Sequence, residues 1–153
     1  MKPILILGLG NLLQTDDGVG CHVAEMLLQR ELPDEIEVMD GGTPGVGLVN
    51  LLEGRQRVII IDAAGLQAEP GTIKRFGADQ VTLTGSADRF SLHRSGVADA
   101  LALARTLNIT LPDIVFFGVQ PERIEWGQTL SESVLVAVEK VVDAILNEML
   151  VKR

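Results

Sequence analysis

Basic residues are scarce. The 153-residue chain carries 13 Lys and Arg against 21 Asp and Glu, a formal charge of −8 at neutral pH. Nucleic acid and anionic membrane surfaces both need a basic face, so neither is an expected partner. Cysteine is nearly absent: Cys21 is the only one, which excludes an internal disulfide and any thiolate cluster. That usage suits a reducing cytoplasm, the expected location. Aromatic residues make up 3% of the chain, so the core must be built from Leu, Val, Ile and Ala. Long apolar runs are missing too. No segment approaches the ~20 residues of a membrane span. The opening MKPILILGLG holds an apolar stretch of only about seven residues that runs into glycines, unlike a signal peptide.

What remains is ample for a globular fold. Apolar residues are 46% of the chain, and a single domain over residues 1–153 is the simplest organisation. Four short runs rich in β-branched residues end in turn residues: Ile4 to Gly8, Ile36 to Asp40, Val58 to Asp62 and Ile114 to Gly118. Their continuous hydrophobicity predicts strands buried on both faces, as in a parallel sheet. Helical spacing recurs in Val19, Val23 and Leu27, and again in Val97, Leu101 and Ala104. A final helix carries Val134, Val138, Val141, Ile145 and Met149 on one stripe, with Thr129 and Glu132 spaced as a capping box. A shorter helix is expected over Gly45 to Leu52, and an edge strand over Gly71 to Phe76. The pattern predicts an α/β fold: a three-layer αβα sandwich with a mostly parallel twisted sheet of about five strands and helices on both faces. Strand 1 should lie between strands 2 and 3. Ligands in such sheets bind beyond the carboxyl ends of the strands where the winding reverses.

The loops at that edge all carry aspartate. The first, GLGNLLQTDDGVG from Gly8 to Gly20, begins like a dinucleotide-binding turn, and Asp40 ends the second strand where a ribose-binding acid would sit. Leu13 stands where a third glycine is required, however. Asp16 and Asp17 would then face the diphosphate near the helix N-terminus, repelling it by several kcal/mol at ~4 Å. The loop favours a cation. Asp16 can serve as N-cap of the helix that follows, but one helix has one N-cap, and Asp17 is left over. With strands 1 and 3 ~4.8 Å apart, Asp17 and Asp62 overhang the same cleft. Asp40 lies one strand further out, in a DGGTPG turn that shapes the cleft.

Of the two histidines, His22 shares a helical face with Glu25 and Gln29 and reads as solvated. His93, in FSLHRSG, begins the helix after the third strand region and points toward the carboxyl edge. Two carboxylates and an imidazole form a divalent-metal set of borderline hardness. No nucleophile elbow or Walker loop is present. Cys21 and His22 are neighbours on a helix and diverge by ~100°, so they cannot form a nucleophile–base pair; Cys21 is expected to pack as a small hydrophobe.

Taken together, GLGNLLQTDDGVG, DGGTPG, IIIDAA, SLHRSG and GVQPERIEWGQTLSESV resemble, in this order, the hydrogenase maturation endopeptidases. The resemblance runs from Ile4 to about Val141. It implies a cytoplasmic protease that trims a C-terminal extension from the precursor of the [NiFe]-hydrogenase large subunit after nickel insertion. The family's metal-binding residues carry over onto Asp17, Asp62 and His93. Some members have glutamate at the position of Asp17, so the side chain here is shorter by one methylene. Asp40 matches the aspartate of the family's D-G-G-T motif and completes the candidate catalytic set. Gln120 and Pro121 match its G-V-Q-P motif as a wall of the cleft.

The implied divalent metal is nickel supplied by the precursor, with zinc or cadmium able to occupy the site in the isolated protein. The implied partner is that precursor, met by a monomer. Contact with the metal would make cleavage conditional on its insertion. A metal-independent route, with Asp17 or Asp40 activating water, stays open, as do two readings from other classes. One is a checkpoint protein that senses nickel without cutting. The other is a dinucleotide-binding domain.

Overall fold

The computed structural model describes residues 1–82, 90–91 and 96–151. Its main sheet has five strands in the order β2-β1-β3-β7-β4: β1 is Ile4–Leu9, β2 Ile36–Gly42, β3 Arg57–Ala63, β4 Ile73–Gly77 and β7 Asp113–Val119. β1, β2, β3 and β7 run parallel, and β4 closes one edge antiparallel to β7. A separate parallel pair joins β5, Val81–Thr82, to β6, Phe90–Ser91. As the sequence predicts, β1 lies between β2 and β3, and the edge strand Ile73–Gly77 overlaps the expected Gly71 to Phe76 stretch, shifted toward Gly77.

Alternation along the strands sorts side chains to two faces. Leu5, Leu7, Val58, Ile60 and Phe116 point to one, packed under α2 (Leu48–Leu52) and α3 (Val97–Thr106). Ile6, Ile59, Ile61, Val115 and Phe117 point to the other, covered by α1 (Val19–Leu28) and α4 (Glu132–Val151). This is the three-layer αβα sandwich. The scarcity of aromatics leaves one stacked ring pair, Phe76 on Phe116 with centroids 5.3 Å apart, among the described residues. No helix among them is long and apolar enough to cross a membrane.

Helix α1 lies unusually near the strands, and glycine makes that possible. A Cβ on Gly20 would stand 2.1 Å from the carbonyl oxygen of Ile61 and 2.5 Å from that of Leu9. A Cβ on Gly8 would meet the carbonyl of Gly20 at 2.1 Å. The glycines of the first loop therefore serve backbone-to-backbone packing, which seats the N-terminal end of α1 over the edge formed by β1 and β3.

Two details differ from expectation. Helix α4 begins at Glu132, so Ser131, whose carbonyl accepts from the Leu135 amide, holds the cap position instead of Thr129. The N-cap of α1 is Gly18, with no side-chain capping bond, so Asp16 does not cap the helix that follows it.

Candidate active site

A 3₁₀ turn, Thr15–Gly18, packs against β3 and carries both loop aspartates into the interior. Asp16 is 0% exposed and Asp17 4%. Their tasks are different. Asp16 Oδ2 accepts the amides of Glu122 at 2.9 Å and Arg123 at 3.0 Å and the Ser131 hydroxyl at 2.7 Å, while Oδ1 accepts the Ser131 amide at 2.7 Å. Burial by itself would raise its pKa; the donors at Ser131, Arg123 and Glu122 outweigh burial and hold it below the usual carboxylate range. Asp16 therefore fastens the 122–131 segment, including the residue just before α4, to the first loop. Sequence reading missed this partner. Its only local signal was the second carboxylate that a single helix start could not use.

Thr15 reinforces the junction. Its hydroxyl donates to the Arg123 carbonyl at 2.9 Å and accepts the Glu125 amide at 3.1 Å, and its amide donates to the Gly127 carbonyl at 2.7 Å. These bonds hold a β-branched residue at φ 45°, a conformation that such side chains avoid. Strain of this kind persists only where surrounding structure enforces it, and it often adjoins functional groups.

Asp17 is bonded within the first loop itself. Its Oδ2 accepts the Asn11 amide at 3.0 Å. That amide belongs to the stretch that would have to cradle a diphosphate in the dinucleotide reading; here it already serves a carboxylate of the protein itself. Gly10, with φ 130°, allows the close turn, since a Cβ there would stand 1.9 Å from the Asp17 carbonyl.

Asp62 lies near the end of β3, opposite Gly118 of β7, and is 3% exposed. Asp40 lies near the end of β2, opposite Gly8, and is exposed; its Oδ1 accepts the Gly42 amide at 3.1 Å in the turn expected for DGGTPG. The side strands β2 and β3 flank β1, so the backbones of Asp40 and Asp62 are about 10 Å apart by strand spacing. Cys21 lies beneath, buried, with its Sγ 3.4 Å from the Gly10 carbonyl. Burial, and then the Asp40 carboxylate with a smaller effect from Asp62, pushes its thiol far above the ordinary range. An inert, packed cysteine is the result, as expected.

Gln120, just past β7, accepts the Leu66 amide on its Oε1 at 2.7 Å, so it braces the segment after Asp62. His93 lies outside the described residues. Among those described, no three His, Cys, Asp or Glu side chains are grouped as metal ligands. His22 departs from expectation: it is half-buried, and its Nε2 is shielded from solvent with no hydrogen-bond partner among the described residues.

A doubly wound α/β domain with aspartates at the carboxyl ends of β2 and β3 and on the loop after β1 defines a class with its site at a winding reversal. The hydrogenase maturation protease family model matches residues 21–148. The hydrogenase expression/formation protein HoxM of Azotobacter vinelandii is 40% identical over 98% of this chain and 73% of its own length. The hydrogenase 2 maturation protease of Escherichia coli is 34% identical over 94% of this chain and 88% of its own. The structure of the hydrogenase-maturating endopeptidase HybD from Escherichia coli superposes with a TM-score of 0.82 over 97% of this chain and 91% of that one, at 34% identity. This chain belongs to the hydrogenase maturation protease family. It spans 66% to 74% of the length of the first relatives, HoxM, HupM and HupD, so they carry sequence beyond the match.

Proposed function

We propose that this protein is an endopeptidase that removes the C-terminal extension of a [NiFe]-hydrogenase large-subunit precursor after nickel insertion, reading the precursor's nickel through Asp17, Asp62 and His93. The supporting observation is the division of labour in the first loop. Asp16 is consumed by hydrogen bonds to the 122–131 segment, while Asp17 is buried on the turn that packs against β3, whose end carries Asp62. Two buried carboxylates at one strand edge suit a cation, and an imidazole added from His93 gives a donor set of borderline hardness.

Nickel belongs to the substrate in this reading. Bridged to it, the protein would hold the scissile peptide at the strand edge, where a water attacks the carbonyl carbon, the C–N bond breaks and the amine leaves with a proton. Asp17 or Asp40 is a candidate base for that water. Two arms of one incubation test the proposal, read by intact-mass spectrometry. Nickel-loaded precursor should be shortened and nickel-free precursor left whole. Equal cleavage of both removes the metal-reading role, and binding of the loaded precursor without shortening makes the protein a checkpoint.

A further inference from the structure

The outer side of the Asp17 loop carries apolar surface that the fold does not use. The Gly127 amide donates to the Leu13 carbonyl at 2.9 Å and Gln14 bridges Gly127, so the loop runs alongside the segment that carries Trp126. Leu13 is 51% exposed and Trp126, the chain's sole tryptophan, 75%. A cavity of about 320 Å³ is lined by Leu13 together with Leu12, His22, Glu25 and Gln128. Its wall includes part of the half-buried His22 ring. The volume is at the small end of ligand sites, enough for one large side chain and adjoining backbone. Glu25 on the rim is exposed, and the chain carries −8 overall, which repels an anionic partner and favours a basic one.

We infer that this face is a docking site for the substrate protein. It receives a segment of the precursor in which a large apolar residue fills the cavity and an adjacent Lys or Arg meets Glu25. The inference rests on the endopeptidase reading above. Tryptophan and leucine exposed on adjoining segments, with a cavity beside Leu13, are the ingredients of an interface anchor. Their attachment to the loop that carries Asp17 would place the captured segment beside the site.

Processing rates measured against precursor concentration test it, using wild type, Leu13→Asp, Trp126→Ser and Glu25→Arg. Each position is exposed, so the fold should survive, and circular dichroism checks that it does. Each variant should raise KM by about tenfold or more with kcat little changed, the pattern of lost uniform binding. Independently, 5-fluorotryptophan at position 126 gives a single fluorine resonance, which should shift when precursor is added to wild type and stay fixed for Leu13→Asp. Unchanged KM in all three variants, or an unmoved wild-type resonance while cleavage proceeds, overturns the docking site. A shift that depends on this protein's own concentration, without precursor, also overturns it by assigning the face to a second copy. Failure of the endopeptidase reading looks different: wild type leaves loaded precursor whole although the resonance shifts.

Discussion

Ser131 gives Asp16 both of its hydrogen-bonding groups, the amide to Oδ1 and the hydroxyl to Oδ2, each at 2.7 Å. The two residues are 115 positions apart in sequence. Through this contact the start of α4 and the first loop are one structural unit. Asp17, the next residue, has its backbone direction fixed as a consequence.

Asp16→Ala should be strongly destabilising. It leaves three amides and a hydroxyl without their acceptor, the two Ser131 groups among them buried, at roughly 1–3 kcal/mol for each buried group that water cannot reach. A total loss of about 4 kcal/mol, or roughly 10 °C in Tm, is expected by thermal or urea denaturation. The pH dependence follows from the lowered pKa. A carboxylate whose folded pKa lies below its unfolded value of ~3.9 contributes stability that is fully present above that value. The contribution is lost as the pH falls through the lower folded value. Wild type should therefore lose stability more steeply than Asp16→Asn below about pH 4, and the two should run parallel from pH 5 to 7. Identical slopes below pH 4 would mean that Asp16 is not ionised in the native protein.

Gly20→Ala tests the close seating of α1. The new methyl would collide with two backbone carbonyls, which cannot rotate away, so the helix itself must shift. A loss of about 3 kcal/mol or more is expected, against a slight gain at a helix position with free space. A stable Gly20→Ala protein that still processes precursor would show that α1 need not sit so near the sheet.

Asp17→Asn, Asp62→Asn and His93→Ala should each lower processing by about 100-fold or more while circular dichroism stays native. Leu135→Ser, at an exposed position of α4, is the control and should process normally. Cadmium titrated into the isolated protein by calorimetry reads the same residues without the precursor. Protons compete with the metal for the imidazole, so affinity should fall from pH 7.5 to pH 5, and His93→Ala should flatten that fall. Equal pH dependence in wild type and His93→Ala would take His93 out of the site.

The sequence alone determined the layers of this protein. Continuous β-branched runs closed by turn residues read as strands buried on both faces, and apolar residues at helical spacing as helices that cover the sheet. Both signals depend on residues a few positions apart, so they are legible without coordinates, as is the gathering of Asp40, Asp62 and the first loop at one edge. Tertiary structure decided the rest. Which of two adjacent aspartates is structural depended on donors at Glu122, Arg123 and Ser131, and contacts over such separations leave no periodic mark. The bonding of Leu13 and Thr15 to Gly127 arises in the same way, from the strapping of the 122–128 segment across the first loop. Hydrogen bonds between distant segments are satisfied by geometry, and geometry exists only once the chain has folded.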